Sequence, residues 1–276
     1  MTITSADIAK LRKITGAGMM DCKLALNEAN GDFEAAIDYL RKKGQKISAK
    51  RADRDANEGV IVAKTNPGFT KGVVIEVNCE TDFVAKNQEF MDFVNNAAIK
   101  ALENNPAGIE ELKQLEIKSV KITDILDELV AKFGEKIELS SYRTLKGTNV
   151  VAYNHFGNKI GVLVSLNVTG EKFVAAAKDI AMQVAALSPV AVNRDKVENH
   201  IIERELEVAR EQTRLEGKPE NMVEKISQGK LNKFFKDSTL LAQDFVKDSS
   251  KSVEQFLKGL DKELTVEDFI RVGIGS

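Results

Sequence analysis

The sequence predicts an α+β protein in which a small helical bundle precedes a mixed core that carries a projecting helical hairpin. Three observations predict this class. Residues 4–43 have helical periodicity, residues 60–101 and 149–184 share one strand–strand–helix pattern, and residues 194–235 form a long charged helical pattern. The 276 residues, 43% hydrophobic and 30% charged, are ordinary for a soluble chain of two or three domains.

Three short helices are predicted within residues 4–43. Thr4 and Asp7 have the spacing of a capping box, and apolar residues follow at helical intervals. Gly44 is predicted to end the third helix, and the polar residues 45–57 are predicted to form a tether. The first 54 residues carry a local charge of +4, but no aromatic residues interleave the basic ones. We therefore expect a solvated basic linker here rather than a nucleic-acid site.

The middle of the chain is predicted to contain two related units. In the first, a hairpin over residues 60–77 precedes a helix whose apolar residues share one face, namely Phe90, Phe93, Val94, Ala97, Ala98 and Ala101. The same plan recurs 89 residues later, and the match is predicted to continue without a gap, which pairs Phe93 with Met182. Helical segments near residues 108–118 and 123–134 are predicted between the units.

The charged segment over residues 194–235 is predicted to form two antiparallel helices. Ile201, Val208 and Leu215 recur every seven residues, which predicts the contact between the helices. A last strand over residues 269–272 is expected to return to the second sheet. These elements predict a helical bundle with its linker over residues 1–54 and a first core unit over residues 55–138. They predict a second core unit over residues 139–192, a hairpin over residues 193–235 and a C-terminal return to the second unit over residues 236–276.

Composition argues against several classes of protein. The net charge of −2 gives no overall basic field, so neither nucleic acid nor a membrane is expected as a direct partner. Cys22 and Cys79 are distant in sequence and have no Cys or His at metal-binding spacing. We expect reduced buried thiols, no metal and no cofactor. The start of the chain does not resemble a targeting signal, and no apolar run could span a bilayer, so a cytoplasmic location is expected.

Motifs of catalysis are weak. Residues 16–18 (GAG) follow a helix instead of a strand, which argues against a dinucleotide site, and the chain has no phosphate-binding loop motif. His155 and His200 have no plausible nucleophile or ligand nearby in sequence. A site assembled from distant residues of the two core units stays an alternative, but the sequence favours a protein that acts by binding and has no catalytic residues.

The turn between the first hairpin and its helix, residues 81–84 (TDFV), allows two interpretations. Asp82 and Phe83 are able to project outward as an anchor for a partner. Alternatively, Asp82 caps the following helix and Phe83 packs against that helix as a hydrophobic staple. The pattern alone favours the cap and staple.

Two longer motifs resemble one known family. Residues 78–84 (NCETDFV) are similar to the core signature of bacterial elongation factor Ts, and residues 15–23 (TGAGMMDCK) resemble the signature in that family's ubiquitin-associated-like N-terminal domain. Residues 160–164 (IGVLV) and 181–186 (AMQVAA) resemble its second core unit, and residues 217–219 (GKP) resemble its coiled-coil hairpin. The resemblance extends in order over nearly the whole chain.

This resemblance implies a guanine nucleotide exchange factor that binds elongation factor Tu, both GDP-bound and nucleotide-free. It implies that Thr81, Asp82, Phe83 and Val84 displace Mg²⁺ and disturb the partner's phosphate-binding loop, which promotes GDP release. The further contacts that it implies are Ile160, Gly161, Gln183, Met19, Met20 and Lys23. Family members act either as one-to-one complexes or as homodimers.

Gln183 departs from the family, whose members often carry histidine at this position. Glutamine donates and accepts hydrogen bonds but does not titrate, so a pH-dependent contact is not expected there. The alternative function is a ubiquitin-associated-like adaptor whose N-terminal bundle binds peptides and which lacks exchange activity.

Overall fold

The computed structural model describes residues 3–275, and its N-terminal part is a bundle of three helices: α1 (Ser5–Thr15), α2 (Met19–Glu28) and α3 (Phe33–Arg51). The predicted capping box is confirmed. Thr4 Oγ1 accepts a hydrogen bond from Asp7 N at 3.2 Å, and Asp7 Oδ2 accepts one from Thr4 N at 3.0 Å. A small apolar core joins the helices through Leu11, Cys22, Ala25, Leu26 and Ala36.

The third helix does not end at Gly44, so this prediction and most of the predicted tether over residues 45–57 were wrong. α3 continues to Arg51 and lies against helix α7 (Ile122–Phe133) of the core. A Cβ atom at position 44 would lie 2.9 Å from the carbonyl oxygen of Asp127. Glycine here allows two helix backbones to approach closely, a role that sequence alone does not distinguish from helix termination.

The first core unit is an antiparallel sheet in the order β1-β2-β5, built from β1 (Glu58–Thr65), β2 (Lys71–Cys79) and β5 (Ile137–Lys146). Helices α4 (Asp82–Ala85) and α5 (Gln88–Asn104) follow β2. All six apolar residues predicted on one face of α5 are buried, which confirms that face. The sequence analysis missed β5. This strand pairs with β2, so the first sheet extends beyond the predicted boundary at residue 138.

A linking region lies between helix α5 and strand β5. It contains α6 (Ile109–Gln114), the two-residue strands β3 (Glu116–Ile117) and β4 (Val120–Lys121), and then α7. Leu112, Ile122, Leu126, Leu129 and Val130 bury their side chains against the outer face of the first sheet. The two predicted helical segments are confirmed over residues 109–114 and 122–133, but residues 115–118 are not helical. Both helices lie within the first unit rather than between the units, because β5 follows them.

The second core unit has the sheet order β10-β7-β6, from β6 (Asn149–Asn154), β7 (Ile160–Leu166) and β10 (Val266–Gly273). The predicted return of the C-terminal strand is confirmed. The elements that pack on this sheet or lead to β10 are α8 (Glu171–Leu187), β8 (Asp244–Phe245), β9 (Asp248–Ser252) and α11 (Val253–Leu260).

The two units repeat with a different spacing in their strands and in their helices. The strands match at an offset of 89 residues, but α5 matches α8 at an offset of 83: their buried faces then superpose, and so do their left-handed C-caps, Asn105 and Ser188. The predicted gapless match, which paired Phe93 with Met182, was therefore wrong in the helix. The first unit carries six additional residues between its second strand and its long helix.

The two sheets pack against each other across a pseudo-twofold relation. Gly72 and Gly161 are repeat partners, and a Cβ on either would lie 2.5 Å from an apolar side chain of the other unit, Leu163 or Ile61. Hydrogen bonds follow the same relation: Ile61 N donates to Asn158 O at 2.8 Å, and the repeat partners of both residues form a bond at 2.5 Å. The two hairpins therefore hold each other in place.

The predicted helical hairpin consists of α9 (Asn199–Leu215) and α10 (Glu220–Ser238). Of the three residues predicted at the contact between the helices, Ile201 packs on the buried cluster and the other two do not. Leu215 is 88% exposed and Val208 is also exposed. The buried residues recur instead at four-residue intervals and include small polar ones: Ala209, Thr213, Val223, Ser227, Leu231 and Phe235. Small side chains let the helices approach closely, and a search for large apolar residues does not find such a contact.

Candidate partner-binding site

The predicted site, residues 81–84, lies within segment 80–87, which connects β2 to α5 and contains the additional residues of the first unit. Thr81 has extended backbone angles at the N-cap of α4, and the helix ends after one turn. Val84 and Ala85 point into the core, whereas Phe83 is 83% exposed. The segment therefore anchors itself through two small apolar residues and directs one large aromatic ring into solvent.

A carboxylate from a distant part of the chain fixes the start of this segment. Glu135, which lies between α7 and β5, accepts hydrogen bonds from Thr81 N at 3.0 Å and from Thr81 Oγ1 at 2.8 Å. One charged group thus satisfies both donors of the N-cap residue. Glu135 was not predicted as part of the site because 54 residues separate it from Thr81 and because β5, which follows it, was not predicted either.

A second carboxylate connects the segment to the N-terminal bundle. Glu80 accepts a hydrogen bond from Lys136 N at 2.6 Å. It also pairs with Arg51 at 2.9 Å and with Arg54 at 3.3 Å. The hydrogen bond from the Lys136 amide and those from the two arginines hold the pKa of Glu80 below its ordinary value. The end of α3 is thereby attached to the first residue of the exposed segment.

The exposed charges around Phe83 are less firmly held. Lys86 Nζ lies 2.6 Å from Asp82 Oδ2, and this hydrogen bond keeps the pKa of Asp82 below its ordinary value and raises that of Lys86. Such a solvent-exposed pair contributes little to stability. Asp82 is therefore ionised at neutral pH and free to exchange Lys86 for a donor on a partner.

The cap-and-staple interpretation of the turn was wrong. The N-cap residue of α4 is Thr81, so Asp82 is the first residue inside the helix rather than its cap. Phe83 does not staple the helix, because most of its ring is exposed. Phe83 faces outward, and its role as an anchor for a partner stays a prediction.

Cys79 supports the segment from below. Its thiol donates to Thr81 O at 3.2 Å, and burial, with a smaller effect of the Glu135 charge, raises its pKa to about 12. Cys22 is also buried, and burial raises its pKa as well. Thiols of this kind are inert packing groups.

Three of the predicted contact residues lie in the second unit, and the structure places their side chains inward or partly inward. Gly161 is buried against Ile61 and Val74 of the first sheet, and Ile160 is half-buried against the second core. Gln183 is fully buried. Their roles at a partner surface stay predictions.

Gln183 holds a loop in place. Its side-chain nitrogen donates to Gln243 Oε1 and to Asp244 O, both at 3.1 Å, and its side-chain oxygen accepts from Val246 N at 2.8 Å. All of these bonds join α8 to the segment that forms β8. In this structure the residue that departs from the family pattern is a structural link between two elements.

The predicted contacts in the N-terminal bundle are exposed. Met19 and Met20 lie at the start of α2, with Lys23 one turn later on the same helix. Ile14 and Leu24 add further exposed apolar surface. Arg41 pairs with Glu128 at 3.3 Å, which attaches the bundle to α7. The methionines thus form an apolar surface that is separate in sequence from Phe83 but belongs to a bundle fixed to the same core.

No three His, Cys, Asp or Glu side chains within residues 3–275 form a group able to hold a metal ion. None of the helices within the same range combines the length and the apolar character needed to cross a lipid bilayer.

Comparison with known proteins identifies the family. A sequence model of the family described as "Elongation factor TS" matches residues 80–276. Elongation factor Ts of Amoebophilus asiaticus is 52% identical over 277 residues, which cover 100% of both chains. The same-named proteins of Christiangramia forsetii and Porphyromonas gingivalis are 50% and 46% identical, with 99% and 98% of both chains covered. With half of its residues shared over full length, the chain belongs to the elongation factor Ts family of translation elongation factors.

Proposed function

We propose that this protein is a guanine nucleotide exchange factor that binds elongation factor Tu in the cytoplasm and promotes release of GDP. The observation that carries the proposal is the segment 80–87, a rigidly held turn that exposes Phe83. Thr81, Asp82, Phe83 and Val84 are the proposed exchange element, with Val84 as its buried anchor. The protein needs no cofactor and no catalytic residue for this role, because binding alone changes the partner.

The proposed mechanism acts on the partner's metal ion. Mg²⁺ bridges nucleotide phosphates and offsets their charge, so loss of its ligands weakens GDP binding. When an aromatic ring enters between two packed helices of the GTPase, it shifts the equilibrium between two discrete arrangements of these helices. The proposal is that Phe83 enters in this way and that the shift displaces Mg²⁺ and the phosphate-binding loop.

Thermodynamic linkage sets the requirement for this activity. A factor promotes GDP release when it binds the nucleotide-free partner better than the GDP-bound partner, since the factor then weakens GDP binding by the same ratio. A buried aromatic anchor contributes about 2–4 kcal/mol at an interface. This free energy is sufficient to lower the partner's affinity for GDP tenfold to several hundredfold. The two hydrogen bonds from Thr81 to Glu135 hold the turn in place before the partner binds, which reduces the ordering cost of binding.

The remaining predicted contacts are proposed as supporting ones. Met19, Met20 and Lys23 offer an exposed apolar surface with a positive charge at its edge, suited to a second contact with the GTPase. Ile160 and Gly161 are proposed as a second core contact made through the half-buried side chain of Ile160, because the backbone of β7 is paired on both sides. Gln183 is proposed to act by holding its loop, because its side chain is buried.

A direct test is the stopped-flow release of fluorescent GDP from elongation factor Tu. The wild-type chain is expected to accelerate release, and Phe83→Ala is expected to lower the acceleration about thirtyfold or more. Phe69→Ala is the matched control: this phenylalanine lies at the tip of the first unit's hairpin and is 37% exposed. If wild type gives no acceleration, the proposed function is wrong.

The adaptor alternative rests on the exposed methionines and can be tested separately. Deletion of residues 1–54 is unsuitable, because Ile47 of α3 packs on the first core and its loss would expose that core. A double substitution, Met19→Lys with Met20→Lys, removes the apolar surface and leaves α3 intact. An exchange factor is expected to keep most of its GDP-release activity in this variant, whereas an adaptor that uses this surface would lose all partner binding.

A further inference from the structure

Within residues 3–275, the most exposed phenylalanine side chain lies at the tip of the β6–β7 hairpin. Phe156 is 96% exposed. The tip is a tight turn in which Asn158 N donates to His155 O at 2.9 Å, and Gly157 has φ of +82°, a conformation that favours glycine. The turn is therefore closed by a backbone hydrogen bond, and the ring that it displays is not part of any core.

Side chains on both arms of this hairpin bind it to the first sheet. Asn154 accepts from Ala63 N at 2.7 Å and donates to Ala63 O at 2.9 Å. On the other arm, Lys159 Nζ donates to Gly59 O at 3.3 Å and pairs with Glu58. Because the contacts progress from Ala63 to Glu58 along β1, the hairpin lies along this strand and its tip is held at a fixed place.

The tip of the β6–β7 hairpin lies beside segment 80–87, which contains the proposed exchange element. Glu58 is the register partner of Cys79, the last residue before the segment begins. Lys159 stands between the two regions: it binds Glu58, and its positive charge is one of the smaller effects that lower the pKa of Asp82. The β6–β7 hairpin therefore borders the turn that exposes Phe83.

The repeat supports the same placement independently. In the pseudo-twofold related position, the tip of the first unit's hairpin and the turn before α8 line a single cavity, with Gly68 and Phe69 on one side and Thr169 and Gly170 on the other. The two hairpins are related by the symmetry that relates their turns. The tip that carries Phe156 accordingly faces the segment that replaces Thr169 and Gly170 in the first unit.

The shared fold does not require an aromatic ring at this position of the tip. At the offset of 89 residues that holds for the strands, the repeat partner of Phe156 is Pro67. An aromatic side chain left in water on an ordered turn contributes no burial to the folded chain. It does offer a preorganised apolar anchor, which loses little conformational freedom when a partner covers it.

We propose that Phe156 is a second apolar anchor on the surface that carries Phe83, and that both rings are covered by the same GTPase partner. The proposal rests on the proposed exchange function and extends it to a residue of the second unit. Asp82, Lys86, Lys159 and Glu58 form a charged region bordering the two rings, and such a combination of apolar anchors with a polar surround is typical of a specific protein interface.

The test measures the affinity of the full-length chain for nucleotide-free elongation factor Tu, prepared with a metal chelator. Phe156→Ala is expected to weaken binding about tenfold, and Phe156→Leu is expected to weaken it less because apolar contact is retained. Phe69→Ala, at the repeat-related tip, is expected to bind within twofold of wild type. Thermal unfolding of the Phe156 variants is expected to match wild type, since the ring is exposed.

The outcomes separate this inference from the proposed function. If wild type accelerates GDP release and Phe83→Ala does not, but Phe156→Ala binds as tightly as wild type, the second anchor is wrong and the exchange function stands. If Phe156→Ala instead changes the chain from dimer to monomer in sedimentation without affecting partner binding, the ring serves a contact between two copies and the inference is also overturned.

Discussion

The two core units differ in the link between their second strand and their long helix. In the second unit, only Thr169 and Gly170 separate Val168, the repeat partner of Cys79, from α8, and Gly170 has φ of +135°. In the first unit, the link is the eight-residue segment 80–87, which forms its own helical turn and leaves Phe83 in solvent. The sheets and long helices of both units are otherwise alike, so the fold is complete without the additional residues.

This difference indicates what the additional residues are for. A segment that only connected β2 to α5 would need no support beyond its ends. Segment 80–87 instead receives a carboxylate from Glu135 at Thr81 and supplies one, Glu80, to the end of α3 and to Lys136. Fixing an exposed aromatic ring in this way costs conformational freedom and contributes little to the core, which is consistent with selection for binding.

The strongest way to test the comparison is to give the first unit the link of the second. Replacing residues 80–87 by Thr-Gly should reduce GDP-release acceleration to the uncatalysed rate, because the exchange element is removed. The unfolding free energy should fall by about 2–4 kcal/mol through loss of Val84 and Ala85 from the core, without loss of the fold. Stopped-flow release and denaturant unfolding measure the two effects. Retention of acceleration would contradict the account.

The next largest effect is expected from loss of the two hydrogen bonds between Thr81 and Glu135. Glu135→Ala leaves both donors of Thr81 unsatisfied and should lower GDP-release acceleration about tenfold by loosening the turn. Glu135→Gln, which keeps one acceptor oxygen, should recover part of the loss. Amide hydrogen exchange at Thr81 separates this positioning role from general destabilisation: it should become faster in Glu135→Ala, while exchange in the centre of α5 stays slow.

Glu80 predicts a pH dependence of stability. Its folded-state pKa lies below the ordinary value of 4.5, so its stabilising contribution is complete above that value and is lost as the pH falls through the lower folded-state pKa. Glu80→Gln should lower the unfolding free energy by about 1–2 kcal/mol at pH 7. The difference from wild type should shrink below pH 4.5, as urea unfolding at several pH values can measure. A difference independent of pH would contradict the assignment.

The smallest effect is expected at Cys79, whose repeat partner is Val168. Cys79→Val makes the first unit resemble the second and removes only a weak thiol hydrogen bond, so the unfolding free energy should change by less than about 1 kcal/mol and GDP release should be unchanged. In wild type, a thiol reagent should label Cys79 only on unfolding, because the thiol is buried and its pKa is about 12.

The sequence was informative where one face of an element is buried and the other is not. α5 has a single apolar stripe, and the capping box of α1 depends on residues three apart, so local patterns were sufficient for both. The seven-residue pattern in α9 was misleading because the real contact uses Ala209 and Thr213, whose small size gives no apolar signal. Gly44 was misleading because a helix crossing and a helix end both favour glycine.

The candidate site was only partly predictable for a related reason. Phe83 could be singled out from its motif, but its exposure depends on Val84 and Ala85 filling the core. The carboxylate of Glu135 that holds the turn comes from a distant part of the chain, and no local pattern indicates such a pairing. The offset of 83 residues between the long helices became visible only from their buried faces and caps.

The most direct test of the central claim is the ratio of two affinities. The dissociation constants of the chain for nucleotide-free and for GDP-bound elongation factor Tu should be measured in wild type and in Phe83→Ala. The account predicts that wild type prefers the nucleotide-free partner by at least about tenfold and that Phe83→Ala loses most of this preference. An unchanged ratio, with both affinities weakened equally, would show that Phe83 binds the partner without driving exchange.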